Sequence, residues 1–217
     1  MPFTKYGLGL MIGSWLIFLF FLILSFYVQQ TVVIIFAVIT GIFSIFNLYF
    51  FRDPERTIPA DPQAILAPAD GKIVQITEVD EHDFFKEKVT RVSIFLSVFN
   101  VHVNRNPIGG RVEYFAYNRG RFLAAFNDKA SLENEQTAIG IIGEQNRKVM
   151  FKQIAGIIAR RIVCNLREGY KVKAGERMGM IRYGSRADIF FRTEDVDLRV
   201  KLGDKVSGGE SIIGVFH

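Results

Sequence analysis

The feature that most limits how this chain can fold is a long uncharged stretch near its N-terminus. From Tyr6 to Phe51 the sequence contains no Asp, Glu, Lys, Arg or His. Leu8–Val28 and Val32–Phe51 each supply about 20 apolar positions, the length that an α-helix needs to cross a bilayer. Only Gln29-Gln30-Thr31 separates them, which predicts a tight turn. The sequence therefore predicts a two-helix membrane hairpin.

The charges that flank the hairpin predict its orientation. Lys5 precedes the first span, and Arg52 and Arg56 follow the second. Because positively charged flanks tend to stay in the cytoplasm, the domain after the hairpin is expected to face the cytoplasm at the cell membrane. A re-entrant hairpin that does not fully cross the bilayer remains an alternative. A hairpin buried in a soluble core fits poorly with so long an uncharged stretch.

The remainder of the chain has the composition of one soluble domain. We expect residues 1–51 to form the hairpin and residues 52–217 to form a soluble β domain. The net charge is +5 and no Lys/Arg block is present, which argues against a nucleic-acid partner and suits an anionic membrane surface. Cys164, the one cysteine, is interpreted as a core residue.

Short apolar runs separated by turn residues predict that this domain is mostly β. The predicted strands lie in 65–76 (with an Asp-Gly turn inside), 91–96, 111–115, 138–142, 149–154 and 157–165. Residues 78–88 are interpreted as a charged loop or hairpin tip, and residues 122–135 as a loop with a short helix.

A weak internal repeat narrows the fold class. Val172-Lys173-Ala174-Gly175-Glu176 recurs as Val200-Lys201-Leu202-Gly203-Asp204. A Val-x-x-Gly-Asp/Glu turn between short strands resembles the hammerhead turns of biotinyl- and lipoyl-type sandwich barrels. The expected fold is therefore a sandwich or barrel-sandwich-like β domain, with little helix outside the hairpin.

Three residues at the ends of predicted strands are candidates for catalysis: Asp70, His102 and Ser185. Taken alone, each has an ordinary structural interpretation. Asp70 could simply form a turn, His102 could be a structural histidine with its hydrogen bonds satisfied, and Ser185 could be part of a Gly-Ser turn. Together they can form a relay in which His102 takes the hydroxyl proton of Ser185 and Asp70 fixes the histidine tautomer. The other histidines, His82 and His217, are expected to be solvated.

The surroundings of Ser185 do not match those of a serine hydrolase. No Gly-x-Ser-x-Gly elbow and no strand-to-helix turn accompany this serine. It directly follows Gly184, so its hydroxyl can attack the carbonyl of its own preceding residue.

Four short motifs together resemble a known family. They are Phe51-Arg52-Asp53-Pro54, Pro68-Ala69-Asp70-Gly71, Asn100-Val101-His102-Val103-Asn104-Arg105 with Pro107, and Arg182-Tyr183-Gly184-Ser185-Arg186. In this order, behind a membrane anchor, they resemble the phosphatidylserine decarboxylase proenzymes of the short prokaryotic type. The resemblance covers essentially the whole chain after the hairpin.

The resemblance implies a cofactor that the chain makes from itself. Ser185, deprotonated by His102 with Asp70 behind it, would attack the Gly184 carbonyl and give an ester. Elimination would then split the chain into residues 1–184 and 185–217, and the dehydroalanine at 185 would hydrolyse to a pyruvoyl group with loss of ammonia. Pyridoxal phosphate and a metal are not expected. The implied partners are phosphatidylserine and the lipid bilayer. The two fragments of one proenzyme are also expected to remain associated.

The chemical reason for such a group is that decarboxylation of an α-amino acid leaves a carbanion at Cα. A ketone that has condensed with the substrate amine delocalises this charge, as pyridoxal phosphate does elsewhere. The resemblance thus implies conversion of phosphatidylserine to phosphatidylethanolamine and CO2. His102 is also the candidate for protonating Cα afterwards.

The chain departs from the family pattern in two places. Long bacterial members carry two histidines in the segment of His102, whereas this chain has one. Asn134-Glu135-Gln136-Thr137 stands where relatives tend to have Asn-Glu-Arg-Asn, so a substrate contact there is in doubt.

Three alternatives remain open at this point. The first is the same chemistry on the serine-headed ether lipid of archaea, an archaetidylserine decarboxylase. The second is a non-catalytic, membrane-anchored lipoyl-like adaptor, which would leave Asp70, His102 and Gly184-Ser185 unexplained as a set. The third is a serine hydrolase that keeps the Ser185 hydroxyl.

Overall fold

The computed structural model of this chain describes residues 3–120, 134–156 and 161–217. It divides into two compact units, Met1–Glu55 and Arg56–His217. The first unit is helical and the second is built from strands. Mostly β structure behind two N-terminal helices is the fold class that the sequence predicts, and this prediction is confirmed.

The first unit consists of two antiparallel helices, α1 (Leu8–Val28) and α2 (Thr31–Phe50). The chain reverses at Gln29, which has a left-handed φ of 48°. The hydroxyl groups inside the helices are satisfied locally, because Ser14 donates to the Met11 carbonyl at 2.9 Å and Ser44 to the Thr40 carbonyl at 2.8 Å. Both helices are long and apolar enough to cross a membrane.

The outer surface of this unit is almost entirely apolar. Phe21 and Phe36 stack between the helices, with ring centroids 5.3 Å apart. Many other large side chains are exposed, among them Ile12, Leu16, Phe20, Ile42 and Ile45. Two helices that contact each other along one line leave most of their apolar surface uncovered by protein.

The second unit contains fourteen strands within the described residues. In chain order they are β1 (Ala64–Leu66), β2 (Gly71–Glu81), β3 (Glu87–Leu96), β4 (Val103–Arg105), β5 (Gly110–Asn118), β6 (Gln136–Ile142), β7 (Lys148–Ala155), β8 (Ile162–Cys164), β9 (Lys171–Val172), β10 (Arg177–Ile181), β11 (Ser185–Phe191), β12 (Val196–Leu198), β13 (Lys205–Val206) and β14 (Ile212–Phe216).

The strands form one large and two small antiparallel sheets. The large sheet has eight strands in the order β13-β2-β3-β11-β7-β6-β5-β9, and the small sheets have the orders β1-β14-β12 and β4-β10-β8. The main hydrophobic core includes the buried side chains of Ile94, Ile139, Phe151, Ile189 and Ile213, which come from the large sheet and from β14. The core therefore lies between the large sheet and the small sheet that contains β14, as the predicted sandwich-type fold requires.

The internal repeat forms the same turn twice. Gly175 and Gly203 both have positive φ, +72° and +93°. In the first copy the Glu176 carboxylate accepts a hydrogen bond from the Lys173 amide at 3.3 Å, and in the second the Asp204 carboxylate accepts from the Lys201 amide at 2.9 Å. The acidic side chain at the fifth position of each copy therefore closes its own turn.

Each repeat turn is also attached to a neighbouring segment in the same way. Gly175 N–H donates to the Asn106 carbonyl, and Asn106 N–H donates to the Glu176 carbonyl. The second copy makes the matching pair with Ile73, at 2.9 Å in both bonds. The resemblance to hammerhead turns, drawn from sequence, thus corresponds to two structurally equivalent turns.

Two sequence-based expectations differ from the structure in extent. Residues 78–88 are less of a loop than expected, since β2 continues to Glu81 and β3 begins at Glu87. The Glu81 carboxylate accepts hydrogen bonds from the amides of Asp83, Phe84 and Phe85, and this tightens the hairpin tip. Most of the loop expected at 122–135, and part of the strand expected at 157–165, lie outside the described residues.

We predict that Gly175→Ala destabilises the β unit more than Gly203→Ala does. A left-handed φ costs an alanine about 1–2 kcal/mol at either position. A Cβ at position 175 would also overlap the Ile58 side chain, whereas at 203 the nearest atom is Lys72 Cε at 3.9 Å. Overlap of this kind costs about 1–3 kcal/mol more. Denaturant unfolding followed by circular dichroism measures both losses, and equal losses would contradict the prediction.

Candidate active site

The turn that leads into β11 has a strained backbone. Tyr183 and Gly184 lie between β10 and β11 and have left-handed φ values of 54° and 74°. For Tyr183 this conformation costs about 1–2 kcal/mol, and burial raises the pKa of its phenol. A Cβ on Gly184 would meet only Val98, at 3.8 Å, so the positive φ and not crowding explains the glycine. Strain of this kind is typical of functional positions.

Ser185 is fixed in the middle of the large sheet. It pairs with Leu96 of β3 on one side and with Ala155 of β7 on the other, and its exposed fraction is 0%. Its Oγ has no hydrogen-bond partner within the described part of the chain. An unsatisfied buried hydroxyl costs about 1–3 kcal/mol, so it requires an explanation.

His102 is buried beside Gly184, the residue that precedes this serine. Its Nδ1 lies 3.0 Å from the Asn100 carbonyl oxygen, and Gly184 N–H donates to its Nε2 at 3.3 Å. Because the carbonyl needs a donor and the amide needs an acceptor, the ring is neutral with its proton on Nδ1. The lone pair of Nε2 therefore points at Gly184, the first residue of the Gly184–Ser185 bond.

Asp70 makes its contacts elsewhere. Arg56 Nη2 donates to both of its carboxylate oxygens, at 3.0 and 2.8 Å, and Gly208 N–H donates to Oδ1 at 2.7 Å. The position at Nδ1 of His102, where a relay carboxylate would bind, is held by the Asn100 carbonyl. The structure thus brings His102 to Gly184, the residue before Ser185, and places Asp70 in an ion pair with Arg56. The catalytic roles of all these residues stay predictions.

Arg56 connects parts of the chain that are distant in sequence. Besides Asp70, it binds Glu210 through Nη1 at 2.8 Å. Sequence reasoning treated Arg56 only as a charge that flanks the hairpin. It missed the pairing because a single arginine in a proline-containing segment gives no signal of its carboxylate partners.

A polar network lies near Ser185. Thr137 Oγ1 donates to Gln153 Oε1 at 2.6 Å, and Gln153 Nε2 donates to Asn104 Oδ1 at 2.9 Å. All three side chains are buried. Thr137 belongs to the Asn134–Thr137 segment in which the sequence departs from the family pattern. No cluster of three or more His, Cys, Asp or Glu residues that could hold a metal ion occurs in the ranges described above.

Comparisons with known proteins identify the class to which this fold and site belong. The family model described as phosphatidylserine decarboxylase matches residues 43–214. The phosphatidylserine decarboxylase proenzyme of Chlorobium phaeobacteroides (strain BS1) is 44% identical over 97% of this chain and 98% of its own length. That of Cytophaga hutchinsonii is 42% identical, over 95% and 94%. That of Wolbachia sp. subsp. Brugia malayi (strain TRS) is 52% identical, over 76% and 73%.

The protein is therefore a carboxy-lyase of a family whose members are synthesised as proenzymes. More specifically, the chain belongs to the phosphatidylserine decarboxylase family, because the family model and these relatives cover most of its length. The resemblance drawn from the four sequence motifs is confirmed.

The ion pair of Arg56 with Glu210 predicts a specific pH dependence of stability. Hydrogen bonds from Arg56 and then from the Thr57 amide lower the pKa of Glu210 below its ordinary value of 4.5. Because the folded-state pKa is lowered, this stabilisation is fully present above the ordinary value and is lost as the pH falls through the lowered one. Glu210→Gln should therefore reduce the free energy of unfolding near neutral pH, and the reduction should shrink in acid.

Denaturant unfolding at a series of pH values measures this difference. Glu78→Gln serves as the control, because Glu78 pairs with Lys88 while both side chains are largely exposed. A Glu210→Gln deficit that stays constant from neutral to strongly acid pH would contradict the assignment.

Proposed function

We propose that this chain cuts itself between Gly184 and Ser185 and then decarboxylates phosphatidylserine to phosphatidylethanolamine and CO2. The observation that carries the proposal is the fully buried Ser185, which follows a turn strained at Tyr183 and whose hydroxyl lacks a partner among the described residues. The histidine next to this turn presents the lone pair of Nε2 to Gly184. The names of the relatives, which combine this activity with the word proenzyme, support the same conclusion.

The proposed cut and the formation of the pyruvoyl group need only groups that the chain supplies and one water molecule. The Ser185 Oγ gives its proton to a base and attacks the Gly184 carbonyl carbon, and the C–N bond breaks as an ester forms. Removal of the Ser185 α-proton then expels the Gly184 carboxylate, which leaves dehydroalanine at position 185. Water hydrolyses this residue to a pyruvoyl group with release of ammonia. The left-handed turn assists the first step, because its strain is relieved when the peptide bond opens.

His102 is the proposed base for this step. A neutral imidazole can accept a proton at Nε2 near neutral pH, in place of the hydrogen bond that Nε2 accepts from the Gly184 amide. The Asn100 carbonyl holds the proton on Nδ1, which is the orienting role that a carboxylate has in a serine protease triad. Asp70 remains a predicted contributor, and its contacts support a role in holding the Gly208 segment close to the site.

The residues around position 185 suit a pyruvoyl group. Such a ketone accepts the substrate amine and delocalises the negative charge that forms when CO2 leaves. Its position at the start of β11 fixes it between Leu96 and Ala155. His102, beside the same turn, is the proposed donor of the proton that the product takes up at Cα.

Contacts across the cut support continued association of residues 1–184 and 185–217. In the large sheet β11 lies between β3 and β7, and in a small sheet β14 pairs with β1. Arg56 and Asp70 of the large fragment bind Glu210 and the Gly208 amide of the small one. The small fragment therefore contributes a central strand, which cannot leave without unfolding the sheet.

The helices of the first unit support a membrane location. Their exposed apolar side chains match a bilayer interior, and the positive charges of Lys5 and Arg52 at the two ends support a common side for both ends. We assign that side to the cytoplasm. A hairpin anchor keeps the β unit at the surface in which its lipid substrate lies.

We predict that the unmodified chain separates under denaturing conditions into fragments 1–184 and 185–217, and that Ser185→Ala remains one chain without activity. Intact mass spectrometry measures both outcomes, with a ketone in place of the amine at the start of the small fragment. Ser93→Ala is a matched control, because Ser93 is equally buried in the same sheet and its hydroxyl also lacks a partner among the described residues. An active, uncut chain with an intact serine at 185 would refute the proposal.

We further predict that His102→Ala leaves most of the chain uncut, since the loss of a general base costs about 10²–10⁴-fold in rate. His82→Ala is the control, because that histidine is exposed. The rate at which the small fragment appears during cell-free synthesis measures the effect. Normal maturation of His102→Ala would assign the base to another group. The same assay on Asp70→Asn shows whether Asp70 acts in the cut.

A further inference from the structure

A cavity of about 660 Å³ lies on the same face of the large sheet as Ser185. Tyr117, Thr137, Gln153 and Ala187 are directly opposite one another on four successive strands, so their side chains share one face. Ser185 is two residues before Ala187 and therefore shares that face as well. Tyr117 and Thr137 line the cavity.

Two backbone contacts connect the cavity to the proposed cleavage site. Ala155, the cross-strand neighbour of Ser185, donates its N–H to the Glu135 carbonyl at 2.9 Å. Glu135 is thus two strand spacings, or about 10 Å, from Ser185. On the other wall, Arg182 N–H donates to the Arg161 carbonyl at 3.3 Å, three residues before Ser185 in the chain. Both Glu135 and Arg161 line the cavity.

The floor of the cavity carries an unsatisfied carboxylate oxygen. Glu135 is only 5% exposed. Its Oε1 accepts hydrogen bonds from Tyr117 Oη at 3.0 Å and from the Ile162 amide at 3.4 Å. Its Oε2 is buried and has no partner in the part of the chain that the structure describes. A buried carboxylate oxygen without a donor is costly, so a ligand that brings a donor is favoured there.

Three arginines that line the same cavity are exposed to solvent: Arg119, Arg161 and Arg167. Arg167 lies over the Phe115 ring at 4.9 Å and donates to the Leu166 carbonyl at 2.6 Å, which fixes its position. Guanidinium groups bind phosphate and carboxylate with two parallel hydrogen bonds. The three exposed arginines therefore give the cavity positive charge near the solvent, and the buried Glu135 gives it one negative charge.

We propose that this arginine pocket, lined by Arg119, Arg161, Arg167, Tyr117 and Glu135, binds the serine head group of the lipid. The inference rests on the proposed function. A phosphoserine head group has two anionic groups and one ammonium, which is the complement of this arrangement. In the complex that precedes the reaction with position 185, the arginines bind the phosphodiester and the carboxylate, and Glu135 Oε2 accepts a hydrogen bond from the ammonium. Lipids without an amine leave Glu135 unpaired and are rejected.

Soluble head-group probes test this inference without any reaction. The uncut Ser185→Ala chain, purified in detergent, is titrated by calorimetry with glycerophosphoserine, glycerophosphoethanolamine and glycerol 3-phosphate. We expect glycerophosphoserine to bind most tightly. Glu135→Gln should weaken the two amine-containing probes at least tenfold and leave glycerol 3-phosphate unchanged. Arg161→Gln should weaken all three.

Two controls separate this effect from general changes in charge. Glu113→Gln and Arg199→Gln remove exposed charges that do not line the pocket, and neither should change any affinity. Equal weakening of all three probes by Glu135→Gln, or absence of binding by glycerophosphoserine, would overturn the inference.

A second measurement separates failure of the inference from failure of the proposed function. In the chain with Ser185 intact, Glu135→Gln should raise KM for phosphatidylserine in mixed micelles about tenfold while the cut fraction stays normal. Normal cutting and turnover with an unchanged KM would overturn the head-group pocket alone. An uncut, inactive unmodified chain that still shows the probe selectivity would overturn the proposed function and leave the pocket in place.

Discussion

The pairing of β11 along both edges is the constraint on which the rest of the site depends. All seven residues of this strand are buried, and it is hydrogen-bonded to β3 on one side and to β7 on the other. The first of these residues is Ser185, so the position of its hydroxyl is set by the ladder and not by a flexible loop. The strain in the preceding turn is tolerated because the strand cannot shift to relieve it. The bond that we propose to react is held so firmly that it needs little further positioning.

Much of this architecture was predictable from sequence where local patterns decide structure. The helices follow from the absence of charge between residues 6 and 51. The two repeat turns follow from a glycine with positive φ and an acidic side chain that caps its own turn. His102 and Ser185 could be singled out because a histidine and a Gly-Ser bond at strand ends are rare in so short a chain. In each case the signal lies within a few residues.

The remaining parts depend on contacts between distant residues, which a single sequence does not reveal. The predicted relay placed Asp70 behind His102, but the carboxylate pairs with Arg56, fourteen residues earlier, and with the Gly208 amide. The burial of Glu135 could not be predicted either. Its carboxylate accepts hydrogen bonds from Tyr117 of β5 and from Ile162 of β8, and both residues are distant from it in the sequence. The orienting group of His102 is a backbone carbonyl, and every residue type has one, so sequence carries no signal for it.

The left-handed turn at Tyr183 and Gly184 has one more consequence, for the reversibility of the proposed cut. Once the bond to residue 185 opens, Gly184 becomes a free chain end and both residues can relax to ordinary backbone angles. Religation would require this end to return to an unfavourable conformation and to find an amine that has already left as ammonia. Maturation would then be irreversible, so each molecule would undergo it once. The abundance of active enzyme would be set by synthesis and turnover of the chain.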